Sequence, residues 1–150
     1  MAMRYMPLLL VVLCSGCAVI EQIERPNDAS SAGDTQATSA PPPPASARTV
    51  EDFDTTTRAE RVAATTTDTG GRRLGRTVAS LGDPTRPGFW IMTPLVDAEG
   101  AGRLEYPAKG TSVEVTLLPA EGGSSRVSLA ALRLLEAPLT DLAELEVFAK

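Results

Sequence analysis

The chain has 150 residues, 43% apolar and 22% charged, with a formal net charge of -5, two cysteines and no histidine. That length holds one ordinary domain at most. The missing imidazole excludes a Ser-His-Asp triad and a His-ligated zinc, and two cysteines cannot supply a four-thiolate zinc site. An excess of 19 acidic over 14 basic side chains argues against nucleic acid as a partner. No cofactor is called for, and no metal.

In chain order, the first element is a signal peptide over residues 1–16. Arg4 is followed by the apolar run from Met6 to Leu13, too short to cross the roughly 30 Å hydrocarbon layer as a helix. The run ends in Cys14-Ser15-Gly16-Cys17, which resembles the lipobox of bacterial lipoproteins. The resemblance implies cleavage before Cys17, a diacylglycerol on its thiol and an acylated new amino terminus. Membrane lipid is then a partner through Cys17. Cys14 stands where that family usually has Leu, and Cys14 itself makes a poorer acceptor because bulky residues precede it. The alternative is an ordinary signal peptide with Cys17 left as a free thiol. By the sorting rule of such lipoproteins, Ala18 rather than Asp after the cysteine directs the chain to the outer membrane, facing the periplasm. With Cys14 removed and Cys17 acylated, no disulfide is available and the fold must rest on packing.

Residues 17–49 read as the lipidated cysteine and a disordered tether. From 24 to 49 there is no Val, Ile, Leu, Met or aromatic residue, and Pro41 to Pro44 form a proline run. Such a stretch buries too little apolar surface to offset the entropy of ordering. A polyproline ligand for a partner domain is the other reading of the prolines. Residues 50–73 read as a weak helix on a linker, with Asp54 as N-cap, Phe53 as a staple before it and the helix running to Ala64. Arg72, Arg73 and Arg76 form a small basic cluster, either a solvated edge or a contact for an anionic polymer or headgroup.

The folded domain is expected over residues 74–150. Thr77 to Leu81 reads as a strand ended by Gly82-Asp83-Pro84; Phe89 to Thr93 and Arg103 to Tyr106 read as strands between turn signals. In Ser112 to Leu118, Val113, Val115 and Leu117 alternate with polar residues, as in a half-buried antiparallel strand. Ser128 is an N-cap for a short helix with Leu129, Leu132 and Leu135 on one face, and Glu144 to Phe148 closes as a strand. The expected class is mainly β, a small barrel or sandwich with one short helix, preceded by the tether.

Two resemblances follow. The segment from Lys109 to Leu118, with Ser125 to Leu135 after a loop, resembles the C-terminal half of rare-lipoprotein-A-like double-psi β-barrels. The resemblance implies a double-psi barrel. Where that family carries Asn-Asp-Arg-Gly-Pro, with an acid implicated in peptidoglycan lytic transglycosylases, this chain has Leu118-Pro119-Ala120-Glu121-Gly122. The family's histidine has no counterpart, and Ser128 stands near its helix-opening Asp. Secondly, the runs Asp54 to Thr57, Thr77 to Pro84, Pro87 to Trp90, Thr93 to Val96 and Ser128 to Ala131 resemble small bacterial lipoproteins often labelled D-galactarate dehydratase. That label implies a sugar-acid dehydratase, for which this chain has neither metal ligands nor room.

The expected function is a non-catalytic, membrane-anchored binding or envelope-structural module, with peptidoglycan or an envelope protein as partner. The alternative is a peptidoglycan-acting lytic transglycosylase-like enzyme, since glycan hydrolysis needs only carboxylates. Glu121 is the candidate nearest the family's acid position, whereas Glu114, Glu144 and Glu146 fall on polar strand faces. Trp90 and Tyr106 are candidates for stacking on sugar rings, with a core role as the other reading for Trp90.

Overall fold

The computed structural model describes residues 40–65 and 69–150; the expected signal peptide, Cys17 and the expected tether up to residue 39 lie outside the described residues. Two short helices, α1 (Val50–Phe53) and α2 (Arg58–Thr65), precede the strands β1 (Arg72–Leu81), β2 (Trp90–Thr93), β3 (Gly100–Tyr106), β4 (Thr111–Pro119) and β5 (Ser125–Val127). Helix α3 (Leu129–Leu134) and strand β6 (Ala143–Ala149) follow. The six strands close into a barrel in the order β1-β5-β2-β4-β3-β6. β1 runs parallel to β5 and β2 parallel to β4, and the remaining neighbours are antiparallel. The expected mainly β class therefore holds, as a barrel rather than a sandwich.

Strand alternation fills the interior. Val113, Val115 and Leu117 of β4 point inward as their spacing predicts, and meet Ile91, Leu104, Val127, Leu145 and Val147 from the other strands. At the end where β1 and β5 finish and β4 starts, α3 acts as a plug. Ser128 caps it, its side chain accepting from the Ala131 N–H (3.3 Å), and Leu129, Leu132 and Leu135 are buried. The Thr111 hydroxyl donates to the Leu135 carbonyl (2.6 Å), tying the start of β4 to the end of the helix.

Several sequence expectations need correction. β1 starts at Arg72, five residues before the apolar pattern, because Arg72 to Ala79 pair along the whole of β6. β5 was not expected at all; its three residues are held by β1 on one side and β2 on the other. The single helix capped by Asp54 is two helices. Thr49 caps α1 reciprocally with Asp52, and Thr57 caps α2: the Glu60 N–H donates to Thr57 Oγ1 (3.2 Å) and the Thr57 N–H to Glu60 Oε2 (2.6 Å). Phe53 is the last residue of α1 and Asp54 its C-cap. Nor is this segment a free linker, since Thr56 and Ala64 are buried and α2 packs on β4. Ordered chain also reaches back into the expected tether, where Ala40 and Ala47 are buried and the Pro41 carbonyl accepts from the Thr55 hydroxyl (2.5 Å).

Candidate functional site

The two aromatic candidates do not share a face. Trp90 lies opposite Thr116 of β4 and Tyr106 opposite Thr111, some 17 Å apart along that strand at ~3.4 Å per residue. Trp90 is only 5% exposed and belongs to the wall beneath the β1–β2 connection. Its indole N–H donates to the Arg86 carbonyl (3.2 Å), and the Arg86 guanidinium sits 5.0 Å above the ring. Gly82 gives the ring its place: a Cβ there would come within 2.4 Å of the indole. Tyr106 closes the β3–β4 hairpin, where its carbonyl accepts from Lys109 and Gly110 (3.1 and 2.9 Å). Glu121 is exposed in the β4–β5 loop beside Gly122 and Gly123, both at positive φ. The three candidates thus sit in three different places.

A shallow, open depression forms instead where Phe53 to Thr56 meet the β1–β2 connection and the start of α3, lined also by Pro84, Arg86 and Pro87. The space it offers a ligand is about 10 Å³, far below the roughly 300 Å³ at which ligand pockets begin. Its acid is Asp54, whose side chain is 2% exposed and fully engaged. It accepts from the Thr56 N–H (3.2 Å) and hydroxyl (2.5 Å), and its second oxygen takes the Arg133 guanidinium of α3 (2.7 Å). Sequence reasoning placed Asp54 at a helix start. The signal that would have corrected this is the Thr57-to-Glu60 spacing, which marks the true cap three residues later.

Arg73 and Arg76 of the basic cluster are likewise engaged. On the outer faces of β1 and β6, Arg73 bonds Glu146 (3.0 Å), and Arg76 reaches both Glu144 (3.0 Å) and Glu146 (3.1 Å). Arg73 first and Arg76 next hold the Glu146 carboxyl below its ordinary value of 4.5, and Glu146 in turn raises Arg76. A depressed carboxylate adds stability above its unfolded-state pKa, and that stability is lost as pH falls through the lower folded value. Melting temperatures of the parent chain and Glu146→Gln are therefore expected to differ at pH 7 and to converge as pH falls through the lowered folded value, with a smaller gap throughout in high salt. A gap that persists in acid counts against this pairing.

At the opposite end of the barrel from α3, three hydroxyls bridge β1, β5 and β2. Ser125 Oγ lies 2.7 Å from Thr77 Oγ1 and donates to Thr93 Oγ1 (2.9 Å), which also accepts the Leu95 N–H (3.3 Å). Thr93 and Ser125 are completely buried. The chain of bonds fixes where the β2–β3 connection leaves the barrel. Ser125→Ala is expected to cost about 1–2 kcal/mol in urea unfolding, because the buried Thr93 hydroxyl and the half-buried Thr77 hydroxyl each lose a partner. A loss under about 0.5 kcal/mol would place the bonds among ordinary surface contacts.

Among the described residues no three His, Cys, Asp or Glu side chains group into a metal site, and no helix is long and apolar enough to cross a membrane. Comparison with protein-family models, with curated proteins and with solved structures finds no match for this chain.

Proposed function

We propose that this chain is a lipoprotein held at the outer membrane through Cys17, and that its barrel is a non-catalytic module binding peptidoglycan or an envelope protein. The observation behind the non-catalytic reading is the occupation of the carboxylates. Asp54 is taken by Thr56 and Arg133, Glu144 and Glu146 by arginines of β1, Glu105 by Arg103 and Glu114 by Lys150. Glycan cleavage by carboxylates needs two of them facing each other across the bond, with one free to carry a proton. Glu121, the acid at the position suggested by resemblance, stands on an exposed loop without that arrangement. The two parallel pairs, β1 with β5 and β2 with β4, support the double-psi type for the barrel.

Anchoring is tested by fractionation and mass spectrometry of the full chain. Acylated peptide beginning at Cys17 is expected from the membrane fraction, and Cys17→Ser is expected in the soluble fraction with neither acyl chain. An unmodified amino terminus, or a Cys17→Ser chain that stays on the membrane, overturns the anchor. Purified sacculi test the module: sedimentation with them without dye release is expected. Dye release abolished by Glu121→Gln would replace the binding module with an enzyme.

A further inference from the structure

We propose that residues 40–65 form a releasable strap, which fastens the chain to α3 when docked and lengthens the link between Cys17 and the barrel when released. The proposal rests on the Cys17 anchor above for its consequence, though not for its mechanics. Besides the packing of α2 on β4, the polar docking of the strap is concentrated on one side chain. Arg133 of α3 takes Asp54 (2.7 Å) and Glu51 (3.6 Å), while the Thr55 hydroxyl holds the Pro41 carbonyl and so lays the proline run back along the strap. What the strap buries is small: Ala40, Ala47, Thr56, Ala64 and the Asp54 side chain, with Phe53 half-buried. Its larger aliphatic side chains, Val50 and Val62, face solvent, and α1 buries none of its residues. Segments with so few buried apolar contacts open at the low end of a protein's range of local stabilities.

Release leaves both partners intact. Each helix is capped by its own residues, Thr49 with Asp52 and Thr57 with Glu60, so these bonds travel with the strap. The six strands pair around a full circle without it, and the barrel interior is filled by strand and α3 side chains, to which the strap adds only Ala64. The consequence is reach. From Cys17 to Ala40 a chain extends at most about 80 Å, whereas from Cys17 to Arg72 it extends at most about 190 Å. The docked strap therefore keeps the barrel near the membrane, and its release more than doubles the distance at which the barrel can meet a partner.

The test uses the acylated full chain in detergent and the Cys17→Ser full chain, each by hydrogen exchange and by trypsin, whose sites in the strap are Arg48, Arg58 and Arg61. Strap amides are expected to exchange well before those of β1 to β6. Arg133→Gln is expected to speed strap exchange and cleavage about tenfold, with barrel exchange unchanged. Thr55→Val gives a second reading in a chain that keeps Arg133, with faster exchange confined to residues near Pro41. On supported bilayers, neutron reflectometry of acylated Arg133→Gln is expected to show a thicker protein layer. Exchange of strap and barrel in step, unchanged protection in both variants, or unchanged layer thickness overturns the strap. A Cys17→Ser chain that stays on membranes defeats the anchor alone and leaves the exchange result standing.

Discussion

Gly102→Val is expected to lower the unfolding free energy by about 3 kcal/mol or more, at the upper end of what overfilling a packed core costs. Gly102 is opposite Val115 of β4 and Ala149 of β6, on the inward phase of β3. A Cβ there would lie 2.5 Å from Leu117 Cγ and 2.5 Å from the Phe148 carbonyl oxygen. The leucine could turn aside, but the carbonyl belongs to the neighbouring strand and can move only if β6 does. The glycine is there for space, which is how a narrow barrel lets β6 and a leucine approach the same point. Gly100, two residues earlier on the same phase, has nothing within 4 Å of its Cβ position. Gly100→Ala is accordingly expected to change stability by less than about 0.5 kcal/mol. Urea midpoints of the two variants at unchanged slope check both statements, and equal losses would mean that local strand propensity, rather than the close approach, governs both sites.

The parts of this fold legible in the sequence are those whose cause is local. β4 alternates by itself, and Ser128 announces α3 because a hydroxyl before a run of leucine and alanine has one obvious use. β5 is the opposite case. Ser125, Arg126 and Val127 make a strand because Ala79 to Leu81 and Ile91 to Met92 happen to flank them in space, and no window of the sequence contains that fact. The start of β1 was hidden similarly: Arg73 and Arg76 read as a solvated cluster, whereas their partners Glu144 and Glu146 are some seventy residues on. The same distance problem affected the site. Asp54 is defined by Arg133, Trp90 by Gly82 and Arg86, and neither pairing follows from spacing. The strap is different, since the Thr49-to-Asp52 and Thr57-to-Glu60 spacings that cap its helices are local to the sequence.

Arg103 provides the sharpest contrast between two changes at one pair. On β3 its side chain is 4% exposed, stacked 4.3 Å from the Phe148 ring and paired with Glu105, yet its Nε has no hydrogen-bond partner. An ion pair in such a place owes desolvation on both members, and the orphaned Nε leaves part of that cost unreturned. Removing only the acid is the damaging change. Glu105→Ala is expected to cost about 2–3 kcal/mol, because the guanidinium stays under Phe148 without its carboxylate; full enclosure would cost about 3–5, but Glu105 is 37% exposed and Glu114 stands across the strand from Arg103. Arg103→Met takes away the charge, the orphan and the desolvation together while keeping a long flexible side chain against the ring, so it is expected to lie within about 1 kcal/mol of the parent. The double variant Arg103→Met, Glu105→Ala should then recover most of what Glu105→Ala alone loses. Thermal and urea unfolding of all three chains decide it: an Arg103→Met loss as large as that of Glu105→Ala would mean that the guanidinium's attraction to Glu105 and its stacking on Phe148 of β6 outweigh its desolvation, and that the missing Nε partner costs the fold nothing.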